Sequence, residues 1–590
     1  MPRYRLIVTA VVAVVAAITV AACGSSSNNS SSGSSSSAPG GISLAGLANT
    51  KPEANPHMGG TLNVISSEGW EHLDPGASYF QIDYMAVYAT QTPLYMFTPT
   101  SPTKPVPLLA SGPAIPSSDG KTVTVHIKPN WKFGPPVNRT ITSKDVAFAF
   151  SRMFNSNVQN GYSSYFPIAG ATTSTSDKPI SGISTPNNTT IVFHLTKPFA
   201  GTMIPALTMP ATSAVPANYP PLVKADKSSP STWDTNPTSQ VFTGPYIIKS
   251  YNAGRSLTLT RNPNWSRSVD GVRPGYADQI VWNAGGDSGV AARQTLASKN
   301  MLMADTAPSS ELKTAYESKK SQLSVAPLGS YYATLNTQVP PFNNLNLRKA
   351  AIAAQNREGY LLARGGKLIG TVMTHFIYPE VPGFQQAGGY KGFGEDFLSN
   401  PTGNHQVACK YMKLAGYPNC KYTGSANVLI VGDNESPDPE EIQVVQNGLQ
   451  SLGFKTTVKL VPQQTMYSKF CGYVKAHINV CPTSGWLEDF PDPYAALFIP
   501  FSGQAIVPVN NSNWGMLNDP KVNSALNQDA AISNPSQRYA AFAKVDKMIT
   551  DDAVAIPEIF SSNAEMEGSQ VHGVLDPWND DWNLTFGSTS

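Results

Sequence analysis

An indole and a carboxylate lie close together on a proline-rich stretch near the C-terminal end of the chain. Within residues 484–498, SGWLEDFPDPYAALF, Trp486 is followed by Asp489, and then by Pro491 and Pro493. Each proline fixes φ and lacks an N–H donor, so we expect an ordered turn here instead of a continuing helix. The pair suits an organic cation, because the ring supplies an apolar wall and the carboxylate supplies the counter-charge. A core aromatic beside a surface turn has the same residue types and is the structural alternative.

The tetrapeptide Gly286-Asp287-Ser288-Gly289 is a second candidate for chemistry, since it matches the nucleophile motif of chymotrypsin-like proteases. That chemistry requires a histidine base, a buried aspartate and a double β-barrel, and the sequence does not place these partners. The next residue is Val290 instead of a second glycine, and the alanine-rich run that follows has a helical pattern. We therefore predict that the protein is not an enzyme.

Composition narrows the class of protein. The 590 residues can bury large cores and suggest two or three domains. Only 14% of the residues are charged and the formal net charge is +2, so the sequence indicates no basic surface for nucleic acid. The 49 prolines and 46 glycines predict many turns and long connections in a mixed α/β framework.

The N-terminus has the pattern of an export signal. Arg3 and Arg5 precede an apolar run, 6–20, that is too short for a comfortable membrane span. Small residues then precede Cys23, which resembles a bacterial lipoprotein cleavage site. We predict a signal peptide over residues 1–22 and acylation of Cys23, which would anchor the protein to the extracytoplasmic face of the cell membrane. An ordinary secretory signal with a chance cysteine is the alternative.

Residues 23–57 are predicted to form a disordered tether. Gly24 to Gly41 are almost all serine, glycine and asparagine, and such a segment cannot bury a hydrophobic core. A flexible coil of this length spans about 30 Å. The tether would let the folded part of the chain face a membrane partner without lying on the lipid.

Four further cysteines lie in the C-terminal half of the chain. An even number in an exported protein predicts disulfides, and pairing of near neighbours in sequence is the simplest of three connectivities. The nearby His405 and His477 permit a metal-site interpretation, but no C-x-x-C or H-x-x-x-H spacing supports it, so we expect no metal. The candidates are Cys409, Cys420, Cys471 and Cys481, with pairs 409–420 and 471–481 favoured.

Residues 427–461 predict a β-α-β unit. Asn427 to Val431 is an apolar strand, Asp438 begins a helix with one apolar stripe, and Phe454 to Val461 is the next strand. Such a unit makes a right-handed crossover onto a parallel sheet. We therefore expect a parallel pair of strands in this part of the chain.

Several segments, in order along the chain, resemble those of family 5 solute-binding proteins of ABC importers, the oligopeptide- and dipeptide-binding group. The segments are GGTL…LDP in 59–75, TGPY…RNPNW in 243–265, YYATLN…PPF in 331–342 and GWLEDFPDP in 485–493. The resemblance implies an α/β fold of the two-lobed, periplasmic-binding-protein-like type II. This fold has mixed sheets, a hinge between the lobes and an extra small domain.

The resemblance also implies a division of the chain into segments. We expect the first lobe to be built from three separate segments, because the chain leaves it for the small domain, returns, and returns again at its end. The expected segments are lobe I at 58–105, 236–330 and 562–590, the extra small domain at 106–235, and lobe II at 331–561.

Ligand-binding residues follow from the same resemblance. In peptide-binding members, the carboxylate at the position of Asp489 pairs with the α-ammonium of the ligand, and the ring at the position of Trp486 lines the pocket. Residues shortly after the LDP motif contact the ligand backbone, which implicates Tyr79, Phe80 and Gln81. The structural alternative is an aromatic side chain that docks on its own domain.

The implied function is capture of oligo- or dipeptides between the lobes and their delivery to the permease of an ABC importer. The protein would act outside the cytoplasm as a lipid-anchored monomer, without a cofactor and without nucleic acid. Two alternatives keep the scaffold: a non-peptide solute such as a sugar or a metal complex, and a peptide sensor that is not coupled to import.

Overall fold

The computed structural model describes residues 48–158, 162–304, 307–576 and 581–589, which belong to one compact unit, Leu44–Ser590. The predicted signal peptide, Cys23 and the tether as far as residue 47 lie outside the described residues. Within the described ranges, no helix has the length and apolar character needed to span a bilayer.

The end of the predicted tether packs on the folded unit, so the prediction of disorder as far as residue 57 was wrong. The Asn49 backbone N–H donates to Ser324 Oγ (2.8 Å), and its side-chain amide donates to Glu567 Oε1 (3.0 Å). Ser588 Oγ donates to the Glu53 carboxylate (2.7 Å). The serine- and glycine-rich composition ends before these residues, and polar side chains here find partners on the strands that they cover.

Short strands and helices alternate along the chain. The strands are β1 Thr61–Ile65, β2 Tyr95–Thr98, β3 Ser101–Pro107, β4 Ile115–Pro116, β5 Thr122–His126, β6 Ile183–Asn187, β7 Thr190–His194, β8 Tyr246–Asn252, β9 Ser256–Arg261, β10 Gln279–Asn283, β11 Met301–Met303, β12 Leu323–Leu335, β13 Gly370–Val372, β14 Asn427–Asp433, β15 Lys455–Val461, β16 Val480–Trp486, β17 Ala555–Glu567, β18 Val571–His572 and β19 Ser588–Thr589.

The α-helices lie between these strands and on the faces of the sheets. They are α1 Gln81–Thr90, α2 Ser143–Met153, α3 Ala200–Ala206, α4 Pro220–Ala225, α5 Arg267–Asp270, α6 Ser288–Ala297, α7 Ser309–Ser318, α8 Leu345–Ala353, α9 Arg357–Arg364, α10 His405–Leu414, α11 Asp438–Ser451, α12 Gln463–Thr465, α13 Pro493–Phe501, α14 Pro520–Asp529 and α15 Pro535–Asp551. A π-helical turn, Met466–Cys471, follows α12.

The largest sheet has the strand order β15-β14-β16-β12-β17-β11-β1-β10-β9-β8, with β13 beside β17. Strands β14 and β15 pair in parallel from Asn427↔Lys455 to Asp433↔Val461, and α11 connects them. This confirms the predicted β-α-β unit. The sheet mixes parallel and antiparallel pairs, as expected from the sequence.

Two long strands, β12 and β17, join the two halves of this sheet. They pair with each other in antiparallel fashion along most of their length. At one end β17 pairs with β11, where Leu302 faces Glu567, and at the other end β12 pairs with β16, where Ser330 faces Trp486. These strands are therefore the connection about which the two halves can turn.

A separate sheet lies in the segment expected to form the extra small domain. Its strand order is β4-β5-β7-β6, and α2 packs against β6 and β7. Thr142 caps this helix in a capping box with Asp145, which satisfies backbone N–H groups at the helix start. The expected domain boundaries stay predictions, because the described unit is not subdivided further.

The four cysteines of the C-terminal half form two disulfides between near neighbours in sequence. Cys409 bonds Cys420, and Cys471 bonds Cys481. The second bond ties the π-helical turn to the start region of β16. That strand ends at Trp486, so the disulfide connects two parts of the wall that surrounds the candidate site.

A buried ion-pair triad holds the LDP motif against the region of the small sheet. The Arg152 guanidinium donates to Asp74 (2.6 Å) and to Asp226 (2.7 Å), and all three side chains are buried. Each carboxylate accepts two guanidinium hydrogen bonds. Such a pair is costly to break, because removing one partner leaves an uncompensated charge in the interior.

We expect Arg152→Met to lower the free energy of unfolding by about 3–5 kcal/mol, because two buried carboxylates lose their counter-charge. The matched control is Arg293→Met, which breaks an exposed pair with Glu311 and is expected to cost less than about 1 kcal/mol. Chemical denaturation followed by tryptophan fluorescence measures both. Equal losses for the two variants would contradict a stabilising role of the buried triad.

Candidate ligand-binding site

A cavity of about 470 Å³ lies between elements from both halves of the main sheet. From one side, Tyr79, Phe80 and Gln81 line it, at the point where α1 begins. From the other side, Trp486 and Asp489 line it, at and just beyond the end of β16. The structure thus brings all five residues that the sequence singled out to the wall of one cavity.

The turn that carries Asp489 is held in place at both ends. Trp486 is the last residue of β16, and its indole N–H donates to the Ala495 carbonyl (2.9 Å). Asp492 caps α13 by accepting from the Tyr494 N–H (2.9 Å) and also pairs with Arg538. The prolines of this stretch therefore join a strand to a capped helix, which confirms the predicted ordered turn.

The Asp489 carboxylate is surrounded by protein and partly faces the cavity. The Tyr165 hydroxyl donates to Oδ2 at 2.5 Å, and the Tyr79 hydroxyl donates to the same oxygen at 3.3 Å. Burial raises the pKa of Asp489 to about 7, although the two tyrosine hydrogen bonds lower it. No cationic side chain of the described residues contributes to this balance.

Two further carboxyl groups, those of Glu488 and Glu380, are buried in this part of the structure. Burial, followed by the charge of Asp489, raises the pKa of Glu488 to about 8, against a hydrogen bond from Tyr378. Burial and the charge of Glu488 raise the pKa of Glu380 well above its usual value. Burial and the repulsion between these groups therefore make both Glu488 and Glu380 harder to ionise than an exposed carboxyl group.

Aromatic rings form the apolar part of the wall. Tyr79 and Trp486 form a tilted ring pair on this wall, with centroids 6.5 Å apart and an interplanar angle of 58°. Phe80 stacks on Tyr467, with centroids 5.7 Å apart and an interplanar angle of 17°. Since Tyr467 belongs to the π-helical turn and Phe80 precedes α1, these ring pairs bridge the two sides of the cavity.

Tyr165 is the residue of this arrangement that sequence analysis missed. It ends a short 3₁₀ turn in the region of the small sheet and is 324 positions from Asp489 along the chain. No charge pattern or motif surrounds it, and only the folded chain places its hydroxyl on the carboxylate. The signal that was available was its type, because buried tyrosines usually find a hydrogen-bond partner.

The GDSG tetrapeptide has a structural role at the start of α6. Asp287 is the N-cap of this helix, and its carboxylate accepts from the Val290 N–H at 2.8 Å. Ser288 is the first residue of the helix and lies on the cavity wall. The carboxylate of this motif is therefore a helix cap and does not orient a histidine base.

Comparisons with known proteins agree on one family. A family model described as bacterial extracellular solute-binding proteins, family 5 Middle, matches residues 104–506. The periplasmic oligopeptide-binding protein OppA of Escherichia coli (strain K12) is 22% identical over 466 residues, which cover 78% of this chain and 80% of OppA.

Solved structures share the fold. The clavulanic acid biosynthesis oligopeptide binding protein 2 superposes with a TM-score of 0.77 at 22% identity, over 90% of this chain and 96% of that chain. Haemophilus influenzae OppA in complex with RPPGFSPFR has a TM-score of 0.72 at 16% identity, over 91% of this chain and 100% of that chain. These matches confirm the predicted two-lobed, periplasmic-binding-protein-like fold. Because the family model matches more than half of this chain, the chain belongs to the bacterial extracellular solute-binding proteins of family 5.

Proposed function

We propose that this protein captures peptides in the cavity between its lobes and delivers them to the permease of an ABC importer. The observation that carries the proposal is the Asp489 carboxylate, which faces the cavity and receives two tyrosine hydroxyls but no cation from the described chain. Family membership and the peptide-binding names of relatives support the same ligand class.

The α-ammonium of the peptide supplies the missing positive charge. A buried ammonium costs several kcal/mol unless a counter-charge and hydrogen-bond acceptors meet it, and Asp489 offers both. The Tyr79 and Tyr165 hydroxyls hold the carboxylate in one orientation. Trp486 forms an apolar wall beside it, and the segment 79–81 lines the same cavity where α1 begins, within reach of the ligand backbone.

Closure of the lobes follows from the connection formed by β12 and β17. A ligand that touches both sides of the cavity stabilises the closed arrangement only to the extent that it prefers that arrangement to the open one. The closed protein then presents one defined surface to a permease. The predicted acylation of Cys23 would keep the protein near its membrane partner. We assign the protein an extracytoplasmic, monomeric and non-enzymatic role.

Asp489→Asn is expected to weaken peptides with a free α-amine by about 30-fold or more, because the ammonium loses its counter-charge in a buried site. N-acetylated versions of the same peptides lose little, since they carry no ammonium. Isothermal titration calorimetry with peptides of several lengths measures both effects. Asp119→Asn, which removes an exposed carboxylate outside the cavity lining, is the matched control and leaves both affinities unchanged.

An equal loss of affinity for free and acetylated peptides in Asp489→Asn would show that Asp489 does not pair with the α-ammonium. Stabilisation of the protein by sugars or metal complexes, with no response to any peptide in thermal-shift measurements, would overturn the peptide assignment and favour a non-peptide solute.

Affinity for free-amine peptides is expected to rise from pH 6 to pH 7.5. Burial raises the pKa of the empty Asp489 to about 7, so below that pH the group is neutral and cannot pair with an ammonium. Binding at pH 7 therefore lowers this pKa and releases a proton, which titrations in buffers of different ionisation enthalpy detect. Asp489→Asn abolishes that release, whereas proton uptake by the unmodified protein would contradict the assignment.

A further inference from the structure

The wall of the cavity is strongly acidic. The described residues that line it carry nine carboxyl side chains, one guanidinium and one imidazole. The imidazole, His72, is already paired with Asp234 at 2.7 Å. A peptide without basic side chains brings one ammonium and one carboxylate, so Asp489 alone would suffice for it. Any further positive charge of a ligand must therefore be met by one of the other carboxyl groups.

The guanidinium on this wall, Arg364, is committed to carboxylates of its own lobe. It lies 2.9 Å from Glu441 and 3.6 Å from Asp438, and its plane lies over the Tyr331 ring at 3.6 Å from the centroid. One positive charge therefore faces two negative groups at the start of α11. Arg364 therefore pairs with Glu441 and Asp438, and it forms no ion pair with Asp433.

Asp433 is a buried carboxylate on the cavity wall that no cation of the described chain neutralises. It ends β14, is 3% exposed, and its Oδ1 accepts from the Glu435 N–H at 3.1 Å. Burial raises its pKa, and the charge of Glu435 acts in the same direction. An isolated carboxylate in such a place is costly for the protein unless a positive group meets it there.

An aromatic ring, that of Tyr467, lies on the same cavity wall as this carboxylate. Burial, and then the charges of Tyr331, Glu68, Asp438 and Asp433, raise the pKa of Tyr467 well above its usual value. Its ring lines the cavity and is positioned by stacking on Phe80. Carboxylates around an aromatic face attract both ammonium and guanidinium groups.

We propose that a second positive charge of the ligand, on an arginine or lysine side chain, binds at Asp433, on the cavity wall that Tyr467 also lines, so that basic peptides are the substrate class. This inference rests on the proposed function and deepens it. Asp489 binds the α-ammonium at one part of the wall, and Asp433 binds a basic side chain at another. The two carboxylates select the ligand by charge, and the peptide backbone is bound without regard to sequence.

An arginine–citrulline scan on the full mature chain tests this inference. Alanine-based peptides of three to five residues carry a free α-amine and either arginine or its neutral isostere citrulline at one position after the first. At one position or more, arginine is expected to bind at least about tenfold tighter than citrulline, and the difference shrinks as salt rises. Calorimetric titration measures each affinity.

Asp433→Asn assigns the preference to its residue. The amide oxygen can still accept the Glu435 N–H, so the local turn is retained while the charge is lost. In this variant arginine and citrulline peptides bind with the same affinity, close to that of the citrulline peptide on the unmodified protein. Glu440→Gln removes an exposed charge from the following helix, α11, outside the cavity lining and is expected to keep the preference.

Equal binding of arginine and citrulline at every position on the unmodified protein would overturn the inference, and it would leave peptide capture through Asp489 intact. Failure of every peptide to bind would overturn the proposed function itself. If Asp433→Asn does not fold, the scan and its salt dependence on the unmodified protein decide the question alone. A preference that persists in a folded Asp433→Asn protein would contradict the assignment to this residue.

Discussion

The structure of the site depends on a carboxylate that the protein buries without giving it a cation. The hydroxyls of Tyr79 and Tyr165, which lie 410 and 324 positions away in sequence, donate hydrogen bonds to Asp489 and favour its ionised form. These hydrogen bonds offset part of the cost of burial, and a positive ligand would offset the rest. The same interaction ties three parts of the chain to one oxygen atom of the cavity wall, so ligand binding and the arrangement of the lobes are linked.

The buried charges of this protein fall into two groups, those with an internal ion pair and those without one. Arg152 satisfies Asp74 and Asp226 inside the protein, and Arg538 satisfies Asp492, so these groups stabilise the scaffold. Asp489 and Asp433, in contrast, lie on the cavity wall without a cationic partner among the described residues. Internal pairing marks a structural charge, whereas an unpaired charge on a cavity wall implies a ligand that completes it.

The long strands β12 and β17 link recognition to movement. Trp486 lies opposite Ser330 of β12, so the turn that carries Asp489 is attached directly to the connection between the lobes. The disulfide between Cys471 and Cys481 fastens the Tyr467 turn to the same region of the sheet. One wall of the cavity is therefore cross-linked, and the segment 79–81 contacts it through the Tyr79–Asp489 hydrogen bond and the Phe80–Tyr467 ring pair.

Sequence patterns were sufficient for everything that depends on neighbours along the chain. The apolar periodicity of 427–461 determined the β-α-β unit, and proline chemistry determined the ordered turn after Trp486. Family-like motifs also pointed to five residues that line the cavity, because a motif fixes position within a known fold, and their ligand-binding roles stay predictions. Only the tertiary structure decided that Asp492 is paired and Asp489 is not, and that Tyr165, Asp433 and Arg364 belong to the site. The reason is physical. Charge pairing and hydrogen bonding act through space, and the distance between two residues along the chain does not predict whether their side chains meet.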